Sequence, residues 1–472
     1  MLNRFLLLAC VLVIALGVIA VPFPDGAVAI AFVIVLAGPV LLIARRFTEE
    51  KDFITTTFLV ALALRMGFGV MIHVFDLRSF FGGDALAYDQ NGAGMMDLWL
   101  GRAAASGYMQ YQSDPASGSA WGMNYLIGGV YFLLGRNIFA AQSACAVIGA
   151  ATAPMIFYCS KKIYNNLNVA KFAALGIAIF PSFVIWSGQL LKDGLIIFLL
   201  VAAMTMVLQL QEKVSYPAVA ALILAMFGIL SLRFYIFYIV VVAVAGSFLI
   251  GLSTTTRSIA RGTVIIAVVG FALMAFGVGR SASVELRVFG NLERVQSSRS
   301  DLARAANSGF GEDTDVSTTE GALSALPMGL TYLMLAPFPW QASNLRQAIT
   351  IPEVLLWWAM IPLMIMGLVY TVRNKLRKAF PILIFSLMLT LAYSIFQGNV
   401  GTAYRQRTQI QVFLFILIGA GYTVYMERRE NERMIRSDTQ RRLDNHLRDM
   451  ANRPQKSNTD YVAEKYDRSD ID

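Results

Sequence analysis

Residues 380–425 read FPILIFSLMLTLAYSIF (Phe380–Phe396), then Gln397, then GNVGTAYRQR (Gly398–Arg407), then Thr408-Gln409 and IQVFLFILIGAGYTVY (Ile410–Tyr425). Two long apolar runs flank a polar string that carries two arginines. Runs of about 17–22 apolar residues match the hydrocarbon thickness of a bilayer. This stretch therefore reads as two membrane helices joined by a polar link, and the same pattern recurs outward along nearly the whole chain. A second polar string, Gly82-Gly83-Asp84-Ala85-Leu86-Ala87-Tyr88-Asp89, follows the third apolar run. It offers carboxylates where the other offers guanidiniums.

Of 472 residues, 57% are hydrophobic and only 15% charged, which is too apolar for a soluble globular protein. The formal charge of +9 fits cytoplasmic loops facing anionic lipid. No basic stripe interleaves with aromatic residues, so nucleic acid is not an expected partner. Cys10, Cys145 and Cys159 lie in apolar surroundings without a CxxC spacing, which indicates neither a disulfide framework nor zinc. His73 and His446 are far apart in sequence, and no Ser-His-Asp arrangement, P-loop or HExxH motif occurs. The first apolar run resembles a signal peptide, but a second begins almost at once, and it is read as a retained helix.

Strong apolar segments run Phe5–Val21, Ala27–Ala44, Ile54–Val74, Ile138–Tyr158, Val169–Trp186, Leu195–Leu210, Pro217–Leu232, Phe234–Leu252, Val264–Val278, Val354–Val372, Phe380–Phe396 and Ile410–Tyr425. Trp121–Gly135 and Ala322–Ala336 are weaker. If neither weak segment crosses and the N-terminus is cytoplasmic, Arg45-Arg46, Lys161-Lys162, Lys213, Arg257–Arg261, Arg373–Lys378 and Arg428-Arg429 all fall inside, as the positive-inside rule requires. The expected fold is all-α: a polytopic transmembrane bundle of about twelve spanning helices plus two half-inserted segments, over residues 1–426. Residues 76–119 form the first large external loop, with an interfacial helix over Asp84–Leu100. Residues 281–321 form a mobile external loop, and residues 427–472 a charged cytoplasmic tail that is partly disordered.

This topology puts the candidate chemistry on one face. Asp84 and Asp89 suit proton abstraction from a hydroxyl or positioning of a divalent cation, and Asp84 equally suits a helix N-cap. The paired glycines before them would let the backbone turn sharply. Lys192-Asp193 opens an apolar helix, where charges tend to be paired and functional. Lys192 suits a phosphate contact or a snorkelling interfacial lysine, and Asp193 could orient it or act as a second acid. Arg233, in a tight link between two apolar helices, is as well suited to capping carbonyls as to holding phosphate. Arg405 and Arg407 sit at a helix N-terminus, which favours an anion. Pro337-Phe338-Pro339-Trp340 is a rigid aromatic turn, fit for an isoprenoid groove or an interfacial belt. The Glu312-Asp313-Thr314-Asp315 cluster reads as a solvated turn before a cation site. Arg65, inside an apolar segment, must face protein or a polar cavity.

With these residues in view, the chain resembles the GT-C superfamily of integral-membrane glycosyltransferases, in particular its bacterial members that use polyprenyl-phosphate-linked sugars. Three places carry the resemblance: Gly83-Asp84 through Tyr88-Asp89, Gln189-Leu190-Leu191-Lys192-Asp193, and Pro337-Phe338-Pro339-Trp340 with Gly401-Thr402-Ala403-Tyr404-Arg405-Gln406-Arg407. It implies transfer of a sugar, with inversion, from a polyprenyl-phosphate-linked donor to a glycan, lipid or protein acceptor at the outer face of the bacterial inner membrane. Asp84 or Asp89 would be the base, and Lys192, Asp193, Arg233, Tyr404, Arg405, Arg407 and Trp340 would bind substrate. A divalent cation, Mg or Mn, is compatible with this. The chain departs from the family in lacking an Asp-x-Asp or Glu-x-Asp pair in the first loop, which leaves the base and any metal open. The alternatives are a polymerase or ligase using a polyprenyl-diphosphate-linked oligosaccharide, and a lipid-linked-sugar flippase.

Overall fold

The computed structural model describes residue 15 and residues 19–451, except residues 82, 103–119, 251–255, 276–290, 305–307, 312–313 and 343. The expected first segment, Phe5–Val21, lies mostly outside them. Among the described residues the chain is all-helical, with one isolated bridge between Gly309 and Asn399. In order, the helices are α1 (Asp25–Arg46), α2 (Lys51–Val74), α3 (Arg78–Phe81), α4 (Asp84–Trp99), α5 (Trp121–Leu134), α6 (Ile138–Tyr164), α7 (Leu167–Ile179), α8 (Pro181–Ser187) and α9 (Asp193–Glu212). There follow α10 (Tyr216–Leu232), α11 (Phe234–Ile250), α12 (Thr256–Ala275), α13 (Leu292–Arg304), α14 (Thr319–Leu335), α15 (Leu345–Asn374), α16 (Leu376–Phe396) and α17 (Val400–Ala451).

Seven of these, α1, α2, α6, α9, α15, α16 and α17, are long and apolar enough to cross a membrane, and the bent pair α7–α8 makes an eighth if it is one span. Three shorter apolar helices cover Tyr216–Leu232, Phe234–Leu249 and Gly262–Ala275. The two weak segments, α5 and α14, fall outside both groups. Contacts divide the chain at Gly421/Tyr422, close to the expected start of the tail, and the second unit is helical and mostly exposed from Glu427 to Met450. The 281–321 loop is described only in part. Its described part contains α13, whose Arg299 donates from Nη1 to the Ile395 carbonyl at 2.8 Å and lies over the Phe310 ring.

Helix α6 organises the first unit. Buried alanines along it, among them Ala140, Ala144, Ala146, Ala150 and Ala153, let α1, α2, α7 and α9 approach closely. In a bilayer, where lipid is as apolar as leucine, such small residues supply much of the association. One close approach lies just before Lys192 and Asp193. A Cβ on Gly149 of α6 would stand 2.4 Å from Ser187 Cβ, and one on Gly194 of α9 would stand 2.5 Å from it. The end of α8 is therefore wedged between α6 and α9, which fixes where Lys192 and Asp193 emerge.

The wedge exists because the α7–α8 segment is broken by 53°. Pro181 has no N–H and its ring excludes the carbonyl of Ile177. Two carbonyls are thereby orphaned, and in lipid that is expensive. Arg65 of α2 takes them: Nη2 donates to Ile177 at 3.0 Å, and Nη1 to Ala178 at 3.1 Å. The same Nη1 donates to Ala61, and Nε to Ser187 Oγ at 2.7 Å. Arg65 thus faces protein and serves the break. Replacing it with Met should destabilise the protein by about 2–4 kcal/mol, from carbonyls left unpaired at roughly 1–3 kcal/mol each. Reversible unfolding in mixed micelles measures this; wild-type stability in R65M would show that the break does not need the guanidinium.

Candidate functional site

Asp193 is the first residue of α9 and is fully buried. A buried carboxylate needs partners, and it has two arginines. Oδ2 accepts from Arg405 Nε at 2.8 Å and Nη2 at 2.5 Å, and Oδ1 accepts from Arg233 Nη2 at 3.4 Å. The remaining nitrogen of Arg405, Nη1, donates to Asp84 Oδ2 at 2.7 Å. The guanidinium also lies 5.4 Å from the ring centre of Trp186, a favourable cation–π distance. Three parts of the chain about a hundred residues or more apart in sequence thus meet at one arginine.

Local sequence explains each placement. Asn399 caps α17, its Oδ1 accepting from Gly401 N at 2.7 Å, and the 308–310 segment pairs with the link through Phe310 N to Gly398 O and Val400 N to Ser308 O. That sets Tyr404 and Arg405 one turn into the helix. Arg233 is the single residue between α10 and α11. Its guanidinium bonds to Asp193 and to Tyr393 Oη at 3.3 Å, and Tyr393 in turn donates to Gln409 Oε1 at 2.7 Å. It faces a ligand-sized space and is not spent on carbonyls. Gly83 has φ of −70° and open space where a Cβ would stand, so no special backbone freedom is used there. Asp84 follows it as the first residue of α4 and makes no cap bond.

These groups line a chamber of about 920 Å³. Lys192, Arg233, Arg346 and Arg405 supply four cations to its wall, against Asp84 on the wall and Asp193 behind it. The excess is positive, so the chamber suits an anion. Phe80, Phe81, Leu345 and Ile349 give it an apolar side. Lys192 makes no ion pair among the described residues. Asp193 is turned to the arginines and does not orient it. Burial foremost, then the nearby Arg233, lowers the Lys192 ammonium to about 8.

Several expected site residues are elsewhere. Asp89 is buried, with Oδ1 accepting from Tyr131 Oη at 2.6 Å and Oδ2 from Arg136 Nη2 at 2.6 Å, and it does not line the chamber. Helical geometry requires this, since residues five apart lie about 140° apart around the axis. Arg407 is fully buried and donates from Nη1 to the carbonyls of Met334 and Ala336, against the rings of Trp357 and Tyr404. It caps the end of α14 and faces away from the chamber, two residues on a helix being about 160° from alignment. Tyr404 lines the chamber with its ring, but its hydroxyl donates inward to Glu353 Oε2 at 2.7 Å and accepts from Ser182 Oγ at 3.0 Å. Trp340 is 73% exposed, stacked on Phe338 at 5.2 Å, and is not part of the wall, although Pro337 is.

Sequence reasoning passed over Trp186, Arg346 and Glu353. Glu353 carried a usable signal, as a lone acid in the apolar run Ile351–Trp358. As for a metal, no three His, Cys, Asp or Glu side chains come together among the described residues, and Arg405 already occupies the space between Asp84 and Asp193. The residues do not fit a protein-held cation. Glu312 and Asp313 of the acidic cluster lie outside the described residues. Compared with protein-family models and with curated proteins, the chain matches none.

Two outcomes follow from this geometry. Lys192 is cationic below about pH 8 and neutral above it, so the affinity of the free chamber for sulfate, whose own charge is constant, should fall about tenfold between pH 7 and 9. K192M should bind weakly with a flat profile, and a flat wild-type profile in titration calorimetry would refute the assignment. Asp193→Asn leaves two buried guanidiniums under-paired and should destabilise by about 3–5 kcal/mol, read by unfolding in micelles.

Proposed function

We propose that this protein is a membrane glycosyltransferase that moves a sugar from a polyprenyl-phosphate-linked donor to an acceptor at the outer face of a bacterial inner membrane. In this reading the bundle is GT-C-like, with about twelve spans and two half-inserted segments, and the chamber opens to the periplasm. The observation that carries it is Arg405, anchored by buried Asp193 and shared with half-exposed Asp84 at the wall of a cationic chamber with an apolar side. A lipid phosphate sugar has the matching parts: an anion, an isoprenoid chain and a reactive anomeric carbon.

The donor phosphate binds Lys192, Arg233 and the outward Nη1 of Arg405. Taking that nitrogen releases Asp84 from its ion pair. The freed carboxylate accepts the proton of the acceptor as the acceptor oxygen bonds to the anomeric carbon. The bond from that carbon to the phosphate oxygen breaks, and its electron pair leaves with the polyprenyl phosphate. The cations stabilise the growing charge on the leaving group, which is where preorganised electrostatics are most effective. The geometry supports Asp84 as base over Asp89, which Arg136 and Tyr131 occupy.

One observation favours a second reading. Arg346 adds a fourth cation to the wall, enough for a diphosphate, as a polymerase or ligase of polyprenyl-diphosphate-linked oligosaccharide would need. Arg65, a charge inside an apolar segment of the kind a flippase would use, is consumed by the break between α7 and α8 and lends that alternative no support. In nanodiscs with a polyprenyl-phosphate-linked hexose, Asp84→Asn should lose about 10²–10⁴ in kcat with donor KM little changed, and Arg405→Gln should lose donor binding. Full transfer by both variants would refute the mechanism. Activity only with diphosphate-linked donors, lost in R346Q, would select the second reading.

A further inference from the structure

The chamber wall holds one donor that the four cations do not account for. Trp186 lies in the last turn of α8, lines the chamber and is only 8% exposed. Its indole Nε1–H is buried and has no hydrogen-bond partner among the described residues. Of the described residues that line the chamber, Trp186 alone carries such an atom. A buried N–H is ordinarily paired, and leaving one unpaired is costly. Two side chains pack on the ring, and neither can accept from it. The Arg405 guanidinium lies 5.4 Å from the ring centre, and all its nitrogens are donors. Tyr404 packs against the indole at 67°, ring centres 6.4 Å apart, but its hydroxyl is engaged by Glu353 and Ser182. These contacts hold the ring in place. The next residue, Ser187, accepts from Arg65 Nε at 2.7 Å, which anchors the end of α8.

We propose that Trp186 is an anion-binding residue whose indole N–H donates to an oxygen of the phosphate that Arg405 holds. This deepens the proposed function and rests on its anion, not on its transfer step. Because Arg405 stacks on the indole, an oxyanion that takes the outward Nη1 of Arg405 lies beside the ring. A tetrahedral oxyanion has further oxygens to offer, and Lys192, Arg233 and Trp186 approach from three other parts of the chain. The value of an uncharged donor here is electrostatic. Lys192, Arg233, Arg346 and Arg405 already repel one another around the chamber. An indole N–H adds a hydrogen bond without adding to that repulsion, and it does not titrate. As charge grows on a leaving polyprenyl phosphate, a donor already fixed in place stabilises it with no reorganisation.

The test uses the full chain in nanodiscs and Trp186→Phe, which keeps an aromatic face for Arg405 and removes the N–H. Titration calorimetry reads the affinity for decaprenyl phosphate, and for sulfate at pH 7 and pH 9. W186F should bind both ligands about tenfold more weakly than wild type, the loss of one hydrogen bond to a charged group. The factor for sulfate should be the same at both pH values. In wild type labelled with 15N at its indoles, the Trp186 resonance is assigned by elimination against the other five tryptophans. It should move downfield when sulfate is added, which separates donation from the weaker stacking of phenylalanine on Arg405. A resonance unmoved by sulfate overturns the assignment, whether or not W186F folds. So does unchanged sulfate affinity in W186F. A loss confined to decaprenyl phosphate overturns it by placing Trp186 on the lipid chain, and a loss that vanishes at pH 9 does so by showing that the indole acts through Lys192. A wild type that binds neither ligand overturns the assignment together with the proposed function. A wild type that shows the sulfate shift yet transfers sugar to no acceptor keeps Trp186 in the anion site and overturns the glycosyltransferase reading alone.

Discussion

One buried carboxylate sets the arrangement of the candidate site. Asp193 has no access to solvent, so its charge is sustained only by the guanidiniums of Arg405 and Arg233. Those guanidiniums in turn are held in fixed orientation at the chamber wall. Removing one member of such a buried set is far more damaging than the net contribution of the set to stability would suggest, because it leaves a charge without a partner. The set has the features of a preorganised anion site: rigid donors, low local dielectric and an excess of positive charge. Asp84, half-exposed and joined to the set by one nitrogen, is the member most readily displaced.

A second theme is the use of arginine to repair backbone. Arg65 satisfies carbonyls freed where Pro181 breaks α7 from α8. Arg407 satisfies carbonyls at the end of α14, where the chain runs into Pro337. Arg299 does the same for the Ile395 carbonyl near the end of α16. In a bilayer an unpaired carbonyl has no water to turn to, and a guanidinium with five donors can reach two or three of them. Arginines of this kind imitate functional ones in sequence. What separates Arg405 from Arg65 and Arg407 is its partners: carboxylates at and just behind a chamber wall against mainly backbone oxygens in a packed core.

The apolar helices, the polar strings between them and the helix around Asp84 were legible in the sequence, because segment length and hydropathy are set by the bilayer and not by the particular neighbours. The pairing of Lys192 with Asp193 was misread from adjacency. Neighbouring residues at a helix start point in different directions, and Asp193 turns into the core while Lys192 turns to the chamber. The choice between Asp84 and Asp89, and between Arg405 and Arg407, was not legible either. Each pair is chemically alike, and only the rotation of its helix against its neighbours separates a chamber residue from a buried structural one. Helix α13 escaped notice because it is charged and short, and the contact its Arg299 makes is with a carbonyl nearly a hundred residues away.

The sequence by itself therefore determined that this is an all-helical chain with several helices fit to cross a membrane, and which short strings carry its polar chemistry. Hydropathy and spacing are one-dimensional properties, and a bilayer reads them directly. Only the tertiary structure decided which of those polar residues meet. Asp84, Asp193, Arg233 and Arg405 come from four separate helix ends, and their meeting depends on the break at Pro181, the glycines that let α6, α8 and α9 close together, and the angular position of each side chain around its helix. Those are relations between elements, which no single segment encodes.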